Sequence, residues 1–217
     1  MEAMESARFV VAEQFQEPAQ QKEAATLGMW VFLSTEVLFF GGMLMAYSGY
    51  RFYYPAAWSD AAELMEKTIG TINTGILLTS SLTVALAVRY AKLGAKRPLL
   101  WCLGLTALFG IAFNGLKLYE YADHVHNHLL PGVDFQASLA NMPVGRLFFT
   151  FYYVMTGIHA LHVLIGIGLF TSLFFLVAQD RYLGPHSLPI EVIALYWHFV
   201  DLVWIFLYPL FYFPGGG

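Results

Sequence analysis

Long apolar runs separated by short polar stretches dominate this chain. Five of them reach the roughly 20 residues that a helix needs to cross about 30 Å of hydrocarbon. They run from about Thr26 to Tyr50, Ile69 to Ala91, Pro98 to Tyr121, Arg146 to Val177 and Ile190 to Phe213. The fourth is longer than a perpendicular span requires and has room to tilt. None shows the ten-residue alternation of a membrane β-strand. The pattern predicts an all-α integral membrane protein, a five-transmembrane-helix bundle forming one domain over residues 26–217. Residues 1–25 are polar, carry Glu2, Glu5, Glu13, Glu17 and Glu23, and lack a signal-peptide core. They read as a surface tail ahead of an uncleaved first helix. No internal repeat points to an inverted-repeat transporter.

Composition sharpens this reading. Of 217 residues, 58% are apolar and 12% charged, with mean hydropathy +0.59. Soluble domains carry about 25% charged residues. Disorder is excluded, since it needs low hydrophobicity and high charge. Net charge is −4 and the densest basic group is only Lys92, Lys96 and Arg97, so nucleic acid is not expected as a partner. One cysteine, Cys102, can form neither an internal disulfide nor a Cys-rich metal site. Lys and Arg also orient the chain. With a cytoplasmic N-terminus, Arg8, Lys22, Arg89, Lys92, Lys96, Arg97 and Arg181 lie inside, and Arg51, Lys67, Lys117 and Arg146 outside. That balance favours N-terminus in and C-terminus out. The segment Ala122–Gly145 then becomes the longest external loop, broken by Pro131, Gly132 and Pro143.

Ionisable residues inside spans are costly, so function is sought there. Glu36 lies about ten residues into the first span, roughly 15 Å deep. It reads either as a proton carrier or as a protonated acid bonded to a neighbouring helix. Glu191, Ala194, His198 and Asp201 form one stripe of the last helix, and His198 and Asp201, three apart, are placed to hydrogen-bond. A carboxylate orienting an imidazole serves metal sites and proton relays, and equally an inter-helix network. His159 and His162 share a face of the fourth helix, a spacing open to haem or copper ligation. Only His198 lies in another span to complete such a site. The hydroxyl residues of the second helix read as a packing face, and Lys117 is placed to snorkel outward and pair with Glu120. His124, His126 and His128 in the external loop are either weak zinc ligands or solvated side chains. No Gly-rich phosphate loop, HExxH or GxSxG occurs, so the chain carries no visible catalytic apparatus of its own.

Three runs carry a family resemblance. Gly28-Met29-Trp30-Val31-Phe32-Leu33-Ser34-Thr35-Glu36-Val37-Leu38-Phe39-Phe40 resembles the first helix of the five-helix core of haem–copper oxidase subunit III. Thr156-Gly157-Ile158-His159-Ala160-Leu161-His162-Val163 is similar to that family's histidine-bearing helix, and Tyr196-Trp197-His198-Phe199-Val200-Asp201-Leu202-Val203-Trp204 to its last. Asn73-Thr74, Leu77–Ser81 and Leu118–Tyr121 are similar as well, so the resemblance covers about residues 26–213. It implies a non-catalytic subunit that packs on catalytic subunit I of a proton-pumping terminal oxidase. The complex would include subunit II and a small subunit IV, with a respiratory supercomplex as the wider assembly. Haems and copper would belong to those partners, with no cofactor or metal in this chain. It would bind phospholipid and support proton uptake from a bacterial plasma membrane. Glu36 falls on the family's buried carboxylate, His159 and His162 on its paired histidines, and Glu191, His198 and Asp201 on its last polar set. The first two helices of seven-helix members have no counterpart. The motif contexts look more like a cytochrome c oxidase, with quinol oxidases and nitric-oxide-reductase-associated homologues as alternatives. Outside the family stand a haem b cytochrome using His159 or His162 with His198, and a small proton carrier using Glu36.

Overall fold

The computed structural model describes residues 14, 15, 17–132, 135 and 142–213. Among these are six α-helices and no strand: α1 (Pro18–Tyr53), α2 (Pro55–Glu63), α3 (Lys67–Lys92), α4 (Lys96–His126), α5 (Met142–Ala178) and α6 (Leu188–Tyr212). Five are long and apolar enough to cross a membrane. The sixth, α2, was not expected. Its Trp58, Ala61 and Ala62 are buried, and Trp58 packs edge-on against Tyr47 and Phe148. It closes one end of the bundle. At 36 and 37 residues, α1 and α5 are each roughly 55 Å long and outrun the hydrocarbon.

The buried positions explain the packing. In α3 they are Gly70, Asn73, Leu77, Ser80, Val84, Ala87 and Ala91. In α4 they include Leu99, Leu103, Thr106, Gly110, Phe113, Lys117, Glu120 and His124. Both series step by alternating threes and fours, the seam that lets antiparallel helices interlock at a shallow angle. The α3–α4 seam is pinned where the Thr83 and Thr106 hydroxyls meet at 2.7 Å. In α6 the same stepping runs through Ile190, Ala194, Trp197, Asp201 and Trp204. This helix is central, packed against α1, α3 and α5. Trp197 fits between Gly110 of α4 and Gly166 of α5. A Cβ at Gly110 would lie 2.7 Å from Ile167 Cγ1 and 3.0 Å from Trp197 Cη2. By contrast α1 buries only the stripe Leu33, Phe40 and Tyr47.

Three helix ends share one cap. After α3 the Ala95 N–H reaches the Tyr90 carbonyl at 3.0 Å, with Gly94 at φ +67°. After α4 the Leu129 N–H reaches His124, with His128 at φ +56°, and after α5 the Arg181 N–H reaches Leu176, with Asp180 at φ +65°. These are Schellman caps, and glycine is the residue that takes the left-handed position without cost.

The caps correct several expectations. The segment after the third span is shorter than Ala122–Gly145, because α4 runs on to His126 and α5 begins at Met142. His124 and His126 are helical and His128 caps the helix, so the three do not form a solvated loop cluster. His124 is buried against Tyr152 and Phe149, whereas His126 and His128 are exposed. Helix α1 starts at Pro18 rather than near Thr26, with proline at a helical start where its missing N–H is harmless. Glu2, Glu5, Arg8 and Glu13 of the expected tail, and Pro214 to Gly217, lie outside the described residues.

Candidate functional site

Lys117 and Glu120 form the most enclosed charged group among the described residues, each 1% exposed. Their seam position on α4 turns both inward between α5 and α6, so Lys117 does not snorkel as its place near the helix end suggested. Lys117 Nζ donates to Glu120 Oε2 at 2.9 Å, to the Tyr152 hydroxyl at 2.9 Å and to the Tyr212 hydroxyl at 3.1 Å. All three ammonium hydrogens are thereby used. The other carboxylate oxygen, Oε1, accepts from Tyr152 at 2.8 Å and from Tyr212. The rings of Tyr121, Tyr152, Trp204 and Tyr212 surround the ammonium at 4.8–5.7 Å from their centroids. A buried ion pair is tolerable when further hydrogen bonds support both charges, and here every ammonium hydrogen is donated and both carboxylate oxygens accept. The sequence reading placed Lys117 beside Glu120 but not the two tyrosines. The signal that finds the burial is the three–four stepping of α4, in which Lys117, Glu120 and His124 continue the line of Gly110 and Phe113.

Glu36 finds a partner on another helix. His162 Nε2 of α5 stands 3.3 Å from Glu36 Oε2, at ion-pair distance but without hydrogen-bond geometry, and both side chains are half-buried. His162 Nδ1 lies 2.9 Å from the Ile158 carbonyl, so its N–H is committed there. A favourable contact between Nε2 and the carboxyl then needs one proton held between them, on either group. Phe40 covers the imidazole edge-on at 5.5 Å, and the Tyr196 hydroxyl donates to the His162 carbonyl at 2.9 Å.

His159 does not join His162. The two are 60° apart around α5, and where His162 turns to α1, His159 turns to α4 and α6. It stacks on Trp204 at 5.2 Å, meets Phe113 edge-on at 5.5 Å, and neither ring nitrogen is hydrogen-bonded. His198 does not bond Asp201 either. Its Nδ1 lies 2.8 Å from Ser81 Oγ of α3. Asp201, 4% exposed, lies beside the same Ser81 hydroxyl, with neither carboxylate oxygen in good hydrogen-bond geometry. The i, i+3 spacing made the His198–Asp201 bond possible, but both side chains turn toward α3 and the serine there intervenes. Adjacent rungs are Trp197 Nε1 to Ser80 Oγ and Trp204 Nε1 to Thr74 Oγ1, each 3.0 Å.

Glu191 stands at the N-terminal end of its stripe, away from His198 and Asp201. It sits in the first turn of α6, accepts from Ser187 at 2.8 Å and pairs with Lys92 at 3.1 Å. A carboxylate there complements the helix N-terminus. At the same end Lys96 ties α4 to Asp180 at 2.7 Å and to the Ala178 carbonyl at 2.9 Å. The bundle is therefore clasped at both ends. Among the described residues, no group of three His, Cys, Asp or Glu side chains is placed to hold a metal ion.

The family model described as cytochrome c oxidase subunit III matches residues 10–216. The chain belongs to that family. Among curated relatives, cytochrome c oxidase subunit 3 of Bacillus subtilis is 32% identical over 191 residues, covering 87% of this chain and 86% of that protein. The subunit of the same name from Bacillus sp. (strain PS3) is 33% identical, covering 87% and 85%. The probable quinol oxidase subunit 3 of Staphylococcus saprophyticus is 32% identical, covering 87% and 88%. This chain is thus a multi-pass membrane subunit III of a haem–copper oxidase, in a family without catalytic metal centres of its own.

Proposed function

We propose that this subunit III sits in a bacterial plasma membrane beside oxidase subunits I and II and a small subunit IV. It stabilises the catalytic chain and keeps proton uptake into it sustained. Haems and copper reside in the partners, cytochrome c supplies the electrons, and phospholipid fills the bundle's outer grooves. The observation that carries the proton-related part is the half-buried Glu36–His162 contact, a carboxyl and an imidazole 3.3 Å apart on two of the long apolar helices. The other charged pairs lie at the two ends, in contacts that tie helices together.

The N-terminus faces the cytoplasm and the C-terminus the outside. Burial of Lys117 strengthens this reading, because that residue no longer counts as an external charge. Arg8, Lys22, Arg89, Lys92, Lys96, Arg97 and Arg181 then stand against Arg51, Lys67 and Arg146. A quinol-oxidising complex is the second reading, favoured by the Staphylococcus saprophyticus relative, which at 32% is as similar as the Bacillus subtilis one.

Replacing Glu36 by Ala tests the proposal. The purified complex should keep its haem content while its sustained turnover falls during oxygen reduction. Turnover that stays level with the unmodified complex, with full retention of this chain, would contradict the assignment. Comparing reduced cytochrome c with a quinol as electron donor separates the two complexes.

A further inference from the structure

We propose that the outer face of the α3–α6 pair receives a transmembrane helix of the oxidase's catalytic subunit, with His198 hydrogen-bonded to a hydroxyl or amide side chain of that helix. The inference rests on the reading of this chain as an oxidase subunit, and it names the face and the contact. His198 lies about 15 Å along α6 from Leu188, near the middle of the span. Its Nδ1 is held by Ser81. Its Nε2 has no hydrogen-bond partner among the described residues and is accessible from outside. Around it the surface is apolar: Leu78 is 51% exposed, Leu202 50% and Phe206 56%. One turn along, the Asp201 carboxylate is buried against α3 with no hydrogen bond. Helix α1 flanks the other side of α6 without packing substantially on α3, which leaves the face open.

Lipid tails are a poor cover for this surface. Histidine within a span ordinarily faces protein or water, because hydrocarbon leaves its N–H or lone pair unsatisfied. Other exposed hydroxyls solve the problem locally. Thr71 and Thr79 on α3, and Thr150 and Ser172 on α5, each donate to the carbonyl four residues back. Exposed Leu108 and Ile111 of α4, and Leu161, Leu164 and Phe175 of α5, are purely apolar and suit lipid. The α3–α6 face therefore differs chemically from its neighbours. A helix with a polar side chain at mid-depth supplies the missing partner, and inter-helix hydrogen bonds of this type hold membrane subunits together.

The test uses the assembled complex. A photo-reactive benzoylphenylalanine replaces Leu202 in one variant and Leu164, 58% exposed on α5, in another. After illumination, position 202 should join covalently to the catalytic subunit, and position 164 to lipid. In parallel, Leu202→Trp should lower the haem protein that co-purifies with this chain roughly tenfold, the effect of about 1.4 kcal/mol at an interface. Leu164→Trp should leave it unchanged, with both variants inserted at wild-type levels. Adducts from position 202 only with lipid or with a second copy of this chain would overturn the inference, as would equal retention in the two tryptophan variants. If the unmodified chain brings down no haem protein, the oxidase reading itself falls, a result distinct from misplacing the face.

Discussion

Lys117→Met should be the most damaging single change at the Lys117–Glu120 clasp, and the structure allows its size to be worked out. The ammonium makes three charge-assisted or hydroxyl hydrogen bonds and sits among four aromatic rings. Methionine fills similar volume but leaves Glu120 Oε2 buried without a donor. Removing one partner of a buried pair costs about 3–5 kcal/mol, because the other charge stays in a low-dielectric site. Removing both partners costs much less. In Lys117→Met/Glu120→Met the Tyr152 and Tyr212 hydroxyls, already 3.4 Å apart, remain to bond each other. The double variant should lie within about 1 kcal/mol of the original, since a buried ion pair and a well-packed apolar pair are often near equal. The assay is a double-mutant cycle on denaturant unfolding of the detergent-solubilised chain, followed by tryptophan fluorescence. Trp204, above the ammonium at 5.2 Å, is a local reporter. The reasoning is refuted if Lys117→Met costs less than about 1 kcal/mol, or if the double variant is as unstable as the sum of the singles.

Two further outcomes follow from packing and caps. Gly110→Ala should destabilise the bundle by about 1–3 kcal/mol, as overpacking does, because Ile167 and Trp197 leave no space for a Cβ. The same substitution at Gly115, which has open space around it, serves as the control in the same unfolding assay. His128→Gly should stabilise by roughly 0.5–1 kcal/mol, because a non-glycine residue holds the left-handed cap of α4. A melting-temperature series would read it, and a lowered value would show that the imidazole contributes more than its backbone costs.

The five spans were legible because length and hydropathy alone decide whether a helix crosses a bilayer. Helix α2 was not, since nine residues with two alanine pairs and one tryptophan carry too short a pattern to stand out behind the single proline that opens them, Pro55. Helix ends were misplaced where polar residues continue a helix beyond hydrocarbon, as Asp123, His124 and His126 do in α4. Glu36 was recognisable as a buried acid from its depth, but its partner His162 lies on a helix far along the chain, and no local spacing announces such a contact. The opposite error befell His198 and Asp201, where correct helical spacing suggested a bond that Ser81 of another helix claims. Lys117 shows the most useful lesson. Closeness to a helix end argued for snorkelling, whereas its register with Gly110 and Phe113 argued for burial, and register decided the outcome.

A scaffold subunit whose redox centres lie in its partners should carry no haem once it is isolated. A tag on this chain, mild-detergent purification, and a reduced-minus-oxidised spectrum with identification of the co-purifying proteins test it most directly. The expected result is an a-type haem signal that arrives with a large, many-helix partner and disappears when that partner is stripped away. A b-type signal that stays with the stripped chain would contradict it, and would make His159, His162 and His198 ligands instead.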